Sequence, residues 1–421
     1  MPGEFRYTSL HDALASLSHA VGPRARRQVV DVREAYGRVL ATDVVAREDS
    51  PKNDVSHFDG FAIASATTRS ATRESPAIFT LRPGADRLGL FPKEKLSGGQ
   101  AMKVATGGYL PIGADAVVPF EEANDNGGKI EVSRRVERGE YVYPAGADVR
   151  RGDLLLRAGK TLKAQDLVLL ASLHVERVVA FSKPTVAIIP TGTELTADIG
   201  DRQRGKVVES HSMLLRHLVE EAGGIALTCP IVPDDKVALS RALKDALKKS
   251  DIVLTLAGSS VGEPDLVESA IMAFGKRTTA LVHGVKVHRG RVMGFAVVGG
   301  KPVVILPGPI QGALNAFIVF GYPLIRHHLG RGFEAPPAVP ATIAEDWEAT
   351  GKFKAFDQVV YLRLAKSGDD LLAMPSSGET EKVSFLVSRN AYTLVSGESP
   401  RLRKGQRVSA HLLPGFSSLE E

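Results

Sequence analysis

Apolar and polar positions alternate with two different periods along this chain, and the places where the period changes divide it. Leu10, Ala13, Leu14 and Leu17 fall on one helical face, with Ser9 and Asp12 as start signals. Val29, Val30 and Val32 read as a strand, residues 33–40 as a short helix, and Val44 and Val45 as the opening of another extended segment. The run SPKNDVSHFDGFAIAS at 50–65 is dense in turn formers and leads into a strand at 61–63. Residues 66–145 carry short alternating runs and turn groups such as Asn126-Gly127-Gly128, the pattern of a β-rich region. A turn-like stretch at 143–152 precedes a short apolar run at 154–156 and a periodic segment at 162–173.

At Pro184 the pattern changes to repeating strand and helix units. Residues 185–189 form a strand, 213–222 a helix stopped by Gly223-Gly224, and 225–232 a second strand. Asp235 caps a helix with Leu239, Leu243 and Leu247 on one face. The β-rich run 252–256 ends in the small-residue loop 257–262, before a helix start marked by Asp265 and Glu268. A hairpin around Gly299-Gly300, a strand at 303–306, and Pro307-Gly308-Pro309 ahead of a helix at 311–320 complete the region. Alternation at this spacing predicts a mostly parallel sheet with helices on both faces, and ligands in such sheets sit beyond the carboxyl ends of the strands. The loops at 191–195, 257–262 and 307–312 all fall there. Loops rich in small residues at helix N-termini suit anions, although the same pattern is also that of an ordinary strand-to-helix turn. Pro336, Pro337 and Pro340 mark a linker into a tail, 341–413, that reads as a small separate β domain.

Composition narrows the picture by exclusion. A chain of 421 residues exceeds one typical domain. A formal charge of +5 over this length and few aromatics argue against nucleic acid as partner. No apolar run approaches the roughly 20 residues of a membrane span. A polar N-terminus and the lone Cys229, which excludes an intramolecular disulfide, fit a cytoplasmic protein.

The motifs then assemble in a recognisable order. EAYGRVLATDVVA, the Pro51, Asp54, Ser56, Asp59-Gly60-Phe61 series, ATGGYLPIGADAVVPFEE, GADVRRG, PTGTEL, VVESHSMLL, AGSSVGEPD and LPGPIQGALNAF together resemble the molybdopterin molybdenumtransferase family, that of MoeA and the gephyrin E domain. The resemblance covers nearly the whole chain and is weakest in the last domain. It implies a multidomain α/β protein, elongated and homodimeric: a mostly parallel α/β sandwich that binds the pterin, plus β-rich domains. It divides the chain into 1–50 with 146–181, 51–145, 182–331 and 332–421.

The implied reaction is insertion of molybdate into adenylylated molybdopterin, with Mg2+ and release of AMP. Implied partners are the pterin nucleotide and molybdate, with transient contacts to a pterin adenylyltransferase or to recipient molybdoenzymes. Carried over residue by residue, the catalytic positions are Asp59, Asp148, Glu194 and Asp265. Binding positions are Thr106, Gly107, Thr191, Gly192, Gly258, Ser260, Gly262, Lys286, His288, Arg291, Pro307 and Gly308. Magnesium ligands come from Glu194, Asp234, Asp235 and Asp265. Each has a structural reading beside it: Asp59 as a turn former, Asp235 and Asp265 as helix caps, Asp148 as a solvated loop acid, Thr106-Gly107 as plain turn chemistry, the basic run as a solvated hairpin.

The departures from the family cluster. Thr193 stands where the family has an acid, His211 where it has Asn, Ala257 where it has Gly. The lysine-rich molybdate loop appears as His288-Arg289-Gly290-Arg291-Val292, and LPGNPVSA as LPGPIQGA, with Pro309 removing a backbone donor. Arginine differs from lysine in geometry, and His288 grips an anion only when protonated. Three functions remain open at this point: a working transferase, a paralogue that binds molybdopterin or finished cofactor and delivers or stores it, and a scaffold that has lost the site.

Overall fold

The computed structural model describes residues 6–22, 24–83, 89, 91–92, 94–256, 266–368, 370–376 and 383–413, arranged in two compact units. One comprises residues 1–29, 37–41 and 179–421, the other 30–36 and 42–178.

The larger unit is built on a six-stranded sheet. Its order runs Ile225–Thr228, Thr185–Pro190, Ile252–Leu256, Lys301–Leu306, Gly294–Val298, Thr278–His283. The first four strands are parallel and the last two form antiparallel additions around the Gly299-Gly300 turn. The central strands are buried along almost their whole length, Thr255 included, and are mostly apolar because both faces are covered. Alternate residues sort to opposite faces. Val186, Ile188 and Leu254 pack with Leu17, Phe295, Phe317 and Phe320, while Ala187, Ile189 and Val253 pack with Leu239, Leu243 and Ile271. Ser9 caps the first helix, Leu10–Val21, through Asp12 N, and Asp235 caps Lys236–Lys249 through Ala238 N.

The C-terminal tail folds as a closed five-stranded barrel, from Ala338–Ile343 to Arg407–Leu412, with its own core of Ile343, Val360, Leu362, Leu364 and Ala410. Tyr361 and Tyr392 turn the other way and join the core beneath the sheet.

The smaller unit carries a second six-stranded sheet, ordered Ala116–Pro119, Gly60–Ile63, Gln100–Val104, Ala77–Arg82, Lys129–Val132, Asn124–Asp125. Phe61, Ile63, Phe79 and Ile130 fill one side, and Met102, Val104 and Leu110 the other. Gly60 is required there: a Cβ would lie 2.2 Å from the Val118 carbonyl oxygen.

Three elements differ from expectation. Residues 33–40 form no α-helix; a single 3-10 turn, Val32–Glu34, closes under the Asp31 cap, and Gly37 takes a positive φ of 72°. The strand expected over 225–232 ends at Thr228, short of Pro230, which lacks the N–H to extend a ladder. The helix expected over 311–320 instead passes through a π segment, Phe317–Gly321, and continues to His328. There a Cβ on Gly321 would lie 2.7 Å from the Phe317 ring.

Candidate functional site

The register of the parallel strands fixes where the loops emerge. Pro190 pairs with Leu256 and Leu256 with Leu306, so three central strands end level with one another. The antiparallel additions return to the same edge: His283 lies opposite Gly294, and Gly294 opposite Ile305. The segments starting at Thr191, Gly284 and Pro307 therefore leave the sheet at one rim. The fourth loop, with the candidates Gly258, Ser260, Gly262 and Asp265, lies outside the described residues, although the strand that feeds it ends between Pro190 and Leu306.

On that rim the Thr191 side chain is spent on structure. It is buried, and both its N–H (3.0 Å) and its hydroxyl (2.7 Å) donate to the Leu256 carbonyl. Gly192 N–H donates to Val232 O, and a Cβ on Gly192 would fall 2.8 Å from the Glu194 carboxylate, so glycine lets that carboxylate fold over the turn. Glu194 is exposed. Thr193 N–H donates to Asp234 Oδ2 at 3.0 Å, drawing Asp234 against the same turn. Asp235 is held away from it as a helix cap, its Oδ1 accepting from Ala238 N–H at 2.7 Å. Of the proposed magnesium ligands in the described residues, Glu194 lies on the turn to which Thr193 bonds Asp234, and Asp235 serves the helix.

The basic loop is built on backbone pairing. Thr8 N–H donates to Gly284 O, and Lys286 N–H donates back to Thr8 O at 2.8 Å. On the other side Asp357 N–H donates to Lys286 O, and His288 N–H to Asp357 O at 2.8 Å. The Lys286 side chain is exposed. His288 Nδ1 meets Gln358 Oε1 at 2.9 Å, and the Arg291 guanidinium lies over the Phe353 ring at 4.7 Å. Arg289 holds a positive φ of 56°, which bends the loop toward the Pro307 turn. The two meet closely: a Cβ on Gly312 would sit 2.9 Å from Pro307 Cβ and 3.0 Å from Arg289 O. Gly312, where the resembled motif carries serine, is thus the residue that lets the basic loop close on this turn. A cleft lined by His288, Arg289, Gln311, Trp347, Gln358 and Tyr361 opens beside it.

Three supporting residues escaped the sequence reading. Asn315 Nδ2 reaches the carbonyls of His288 and Arg289 at 3.4 Å each, while its Oδ1 accepts from Tyr361 O–H at 2.6 Å. Burial pushes the Tyr361 phenol well above its ordinary pKa, so it stays a donor. Gln358, on the barrel, sets the orientation of the His288 ring. The available signal was Asn315 itself, a polar residue inside the apolar run GALNAFIVF.

In the smaller unit Asp59 and Thr106 are brought together. Asp59 Oδ1 accepts from Thr106 N–H at 2.7 Å and from Thr106 O–H at 3.0 Å. These bonds, the backbone one foremost, hold the Asp59 carboxyl below its ordinary pKa. Gly107 follows with a positive φ of 79°, and its N–H donates to Ser56 O. Asp148 lies exposed on a different turn, its N–H donating to Ser50 O at 3.0 Å. Among the described residues no cluster of three or more His, Cys, Asp or Glu side chains forms a ready-made metal centre.

Residues 8–173 match the MoeA N-terminal region (domain I and II), and residues 187–327 match the family described as "Probable molybdopterin binding domain". A molybdopterin biosynthesis protein of Methanocaldococcus jannaschii is 33% identical over 308 residues, 71% of this chain and 74% of that one. A molybdopterin molybdenumtransferase of Staphylococcus aureus is 28% identical over 93% of this chain and 92% of its own. Two crystal structures of MoeA proteins from Pyrococcus horikoshii superpose with TM-scores of 0.83 and 0.75, at 26% and 28% identity. They cover 98% and 97% of this chain and all of theirs. Sequence identity at that level across three quarters of a relative, joined to a shared architecture from end to end, establishes that this chain belongs to the MoeA family.

Proposed function

We propose that the chain works in molybdenum cofactor biosynthesis, inserting molybdate into the dithiolene of adenylylated molybdopterin and releasing AMP. The observation that carries the reading is the shared rim: carboxylates on the Thr191–Leu195 side and cations at 286–291 emerge from one level edge of the sheet. A phosphate-bearing pterin and a dianionic oxyanion call for that division of labour.

In this reading Lys286, His288 and Arg291 grip molybdate, and Pro307 and Gly308 shape the wall beside them. Gly192 serves the pterin nucleotide indirectly, by leaving room for the Glu194 carboxylate over the turn. Magnesium fits the donors present, because it ordinarily takes one or two carboxylates and leaves the rest of its shell to phosphate and water. Glu194, and Asp234 bonded to the same turn through Thr193, are that pair. When bound, the ion would neutralise phosphate charge. Asp59 and Asp148 keep the catalytic roles that their motifs imply. The protein would act as a cytoplasmic homodimer, taking its substrate from a pterin adenylyltransferase and passing product to recipient molybdoenzymes. Among the described residues no helix is long and apolar enough to cross a membrane.

Pro309, which offers no N–H at the turn beside the basic loop, favours a second reading: a paralogue that binds molybdopterin or finished cofactor and delivers or stores it without inserting metal. Incubation with adenylylated molybdopterin, magnesium and molybdate separates the two. Molybdate-dependent AMP release supports insertion, whereas tight pterin binding with no AMP release supports delivery.

A further inference from the structure

A second polar cleft lies at the opposite, amino edge of the same sheet. Pro184 and Asp251 lead into two of its parallel strands there, and Gly300 and Lys301 form the hairpin turn between two others. A strand of five or six residues separates this edge from the rim described above, roughly 17–20 Å at strand spacing. The cleft holds about 160 Å³, several times the roughly 30 Å³ share of a liquid water. Among the described residues Arg24, Arg26, Lys183 and Lys301 line it, with Asp251 as its carboxylate and His328 at its wall.

The cations are not equally committed. Lys301 donates to the carbonyls of Leu247 at 2.6 Å and Ser250 at 2.8 Å, closing the end of a helix. Arg26 approaches Asp251 at 3.7 Å, and Asp251 also accepts from Thr185 N–H at 3.0 Å. Among the described residues Arg24 spends its Nε, on Val21 O at 3.1 Å. Among the described residues neither Arg24 nor Lys183 forms an ion pair, so two cations face one cleft uncompensated. The guanidinium of Arg24 is also seated: it lies over Gly300, where a Cβ would stand 2.3 Å from its Nη2. His328 is buried, and its Nδ1–H donates to Leu324 O at 2.8 Å, which leaves Nε2 as an acceptor in the neutral ring. Burial favours that neutral form.

We propose that this cleft binds a hydroxyl-bearing tetrahedral oxyanion of the hydrogen phosphate class, with Arg24 and Lys183 as donors and His328 and Asp251 as acceptors. Cations alone would take any anion. The acceptors select one that still carries a proton, so phosphate is preferred over sulfate. The anion could be free phosphate or the phosphate of a nucleotide, since both offer the same chemistry to these groups.

Calorimetric titration of the full chain with inorganic phosphate, sulfate and AMP, each separately, tests this. Phosphate should bind more tightly than sulfate. The Arg24→Gln/Lys183→Gln double variant should weaken phosphate by about tenfold or more, a change of about 1.4 kcal/mol. Gly300→Asn, which leaves both cations in place but crowds the Arg24 seat, should weaken it too. Lys244→Gln/Lys366→Gln, which removes two exposed cations that do not line the cleft, should leave it unchanged, which sets this site apart from general surface charge. AMP binding lost in the same variants would identify the nucleotide as a source, and phosphate alone the free ion; either supports the site. Sulfate binding as tightly as phosphate would mark a screened basic surface and overturn the proposal. Phosphate binding indifferent to the double variant, or absent in the wild-type chain at about 10 mM, would overturn it as well.

Discussion

Thr193 and Asp234 bond to each other twice. The Thr193 amide donates to the Asp234 carboxylate at 3.0 Å, and the Asp234 amide donates back to the Thr193 hydroxyl at 3.2 Å. The position where the family pattern carries an acid is therefore a hydroxyl that fixes a neighbouring acid in place. Removing the carboxylate with Asp234→Ala should cost about 1 kcal/mol of stability, the ordinary value of one exposed hydrogen bond. AMP release should fall far more, by tenfold or beyond, with the deficit easing at high magnesium. Denaturant melts beside a magnesium titration of activity read both, and a loss of stability with unchanged activity would limit Asp234 to the turn.

Arg291 is held over the Phe353 ring at 4.7 Å. Arg291→Ala should raise the molybdate concentration needed for half-maximal AMP release by at least tenfold. Phe353→Leu leaves the charge but removes a contact worth about 0.5–1 kcal/mol, so it should shift the same quantity only about two- to fivefold. Equal effects would mean that Phe353 serves the loop's fold and not the aim of Arg291.

Asn315 ties the basic loop to the barrel through Tyr361. Asn315→Ala should strand a buried hydroxyl at a cost of about 1–3 kcal/mol. Asn315→Ala combined with Tyr361→Phe should recover part of that stability without recovering molybdate affinity, because the loop carbonyls stay unsupported. Thermal melts and molybdate titrations of the two variants check the split.

Thr106 keeps the Asp59 carboxyl acidic. A depressed carboxyl pKa contributes stability above its unfolded value and loses it as pH falls through the folded one. Thr106→Val removes the hydroxyl donor and keeps the N–H donor, so Asp59 should titrate at a higher pH than in the wild-type chain, though still below an ordinary aspartate. Carboxyl carbon shifts followed by NMR report this directly.

Burial lowers the pKa of His211 and of His328, against the pull of Glu209 in the first case and of the Leu324 carbonyl and Asp251 in the second. Each folded value lies below the unfolded one, about 6.5, so the unfolded chain takes up protons first as pH falls. The stability these two rings contribute is complete above that value and drains away below it. The melting temperature should fall between pH 7 and pH 5 in phosphate-free buffer, and His211→Asn/His328→Asn should flatten that slope.

What could be read from the residues divides along a physical line. The sheet was legible because Ile252 to Leu256, with the β-branched Thr255 inside it, and Val303 to Leu306 are short, nearly continuous apolar runs of strand length, as suits strands covered on both faces. The caps were legible because Ser9 and Asp235 act on amides three residues away. Residues 33–40 misled because their apolar residues satisfy a helical spacing while Gly37 takes a left-handed turn within them. The shared rim was inferable from the rule for parallel sheets. The grip of Asn315 and Gln358 on the basic loop was not, because it joins positions 27 and 70 residues from His288. Nothing local in a sequence records a partner that distant.

The basic loop has a neighbour on each flank, Thr8 on one side and Asp357 on the other, both bonded to the backbone of Lys286. It is the middle ply of a three-layer strap whose outer plies come from near the start of the chain and from its last domain. Proteolytic trimming or a shortened expression boundary that removed Thr8 would leave the sheet and its core intact yet let the basic segment go slack. A preparation could therefore look folded by every spectroscopic measure and still have lost the rigidity of that one loop.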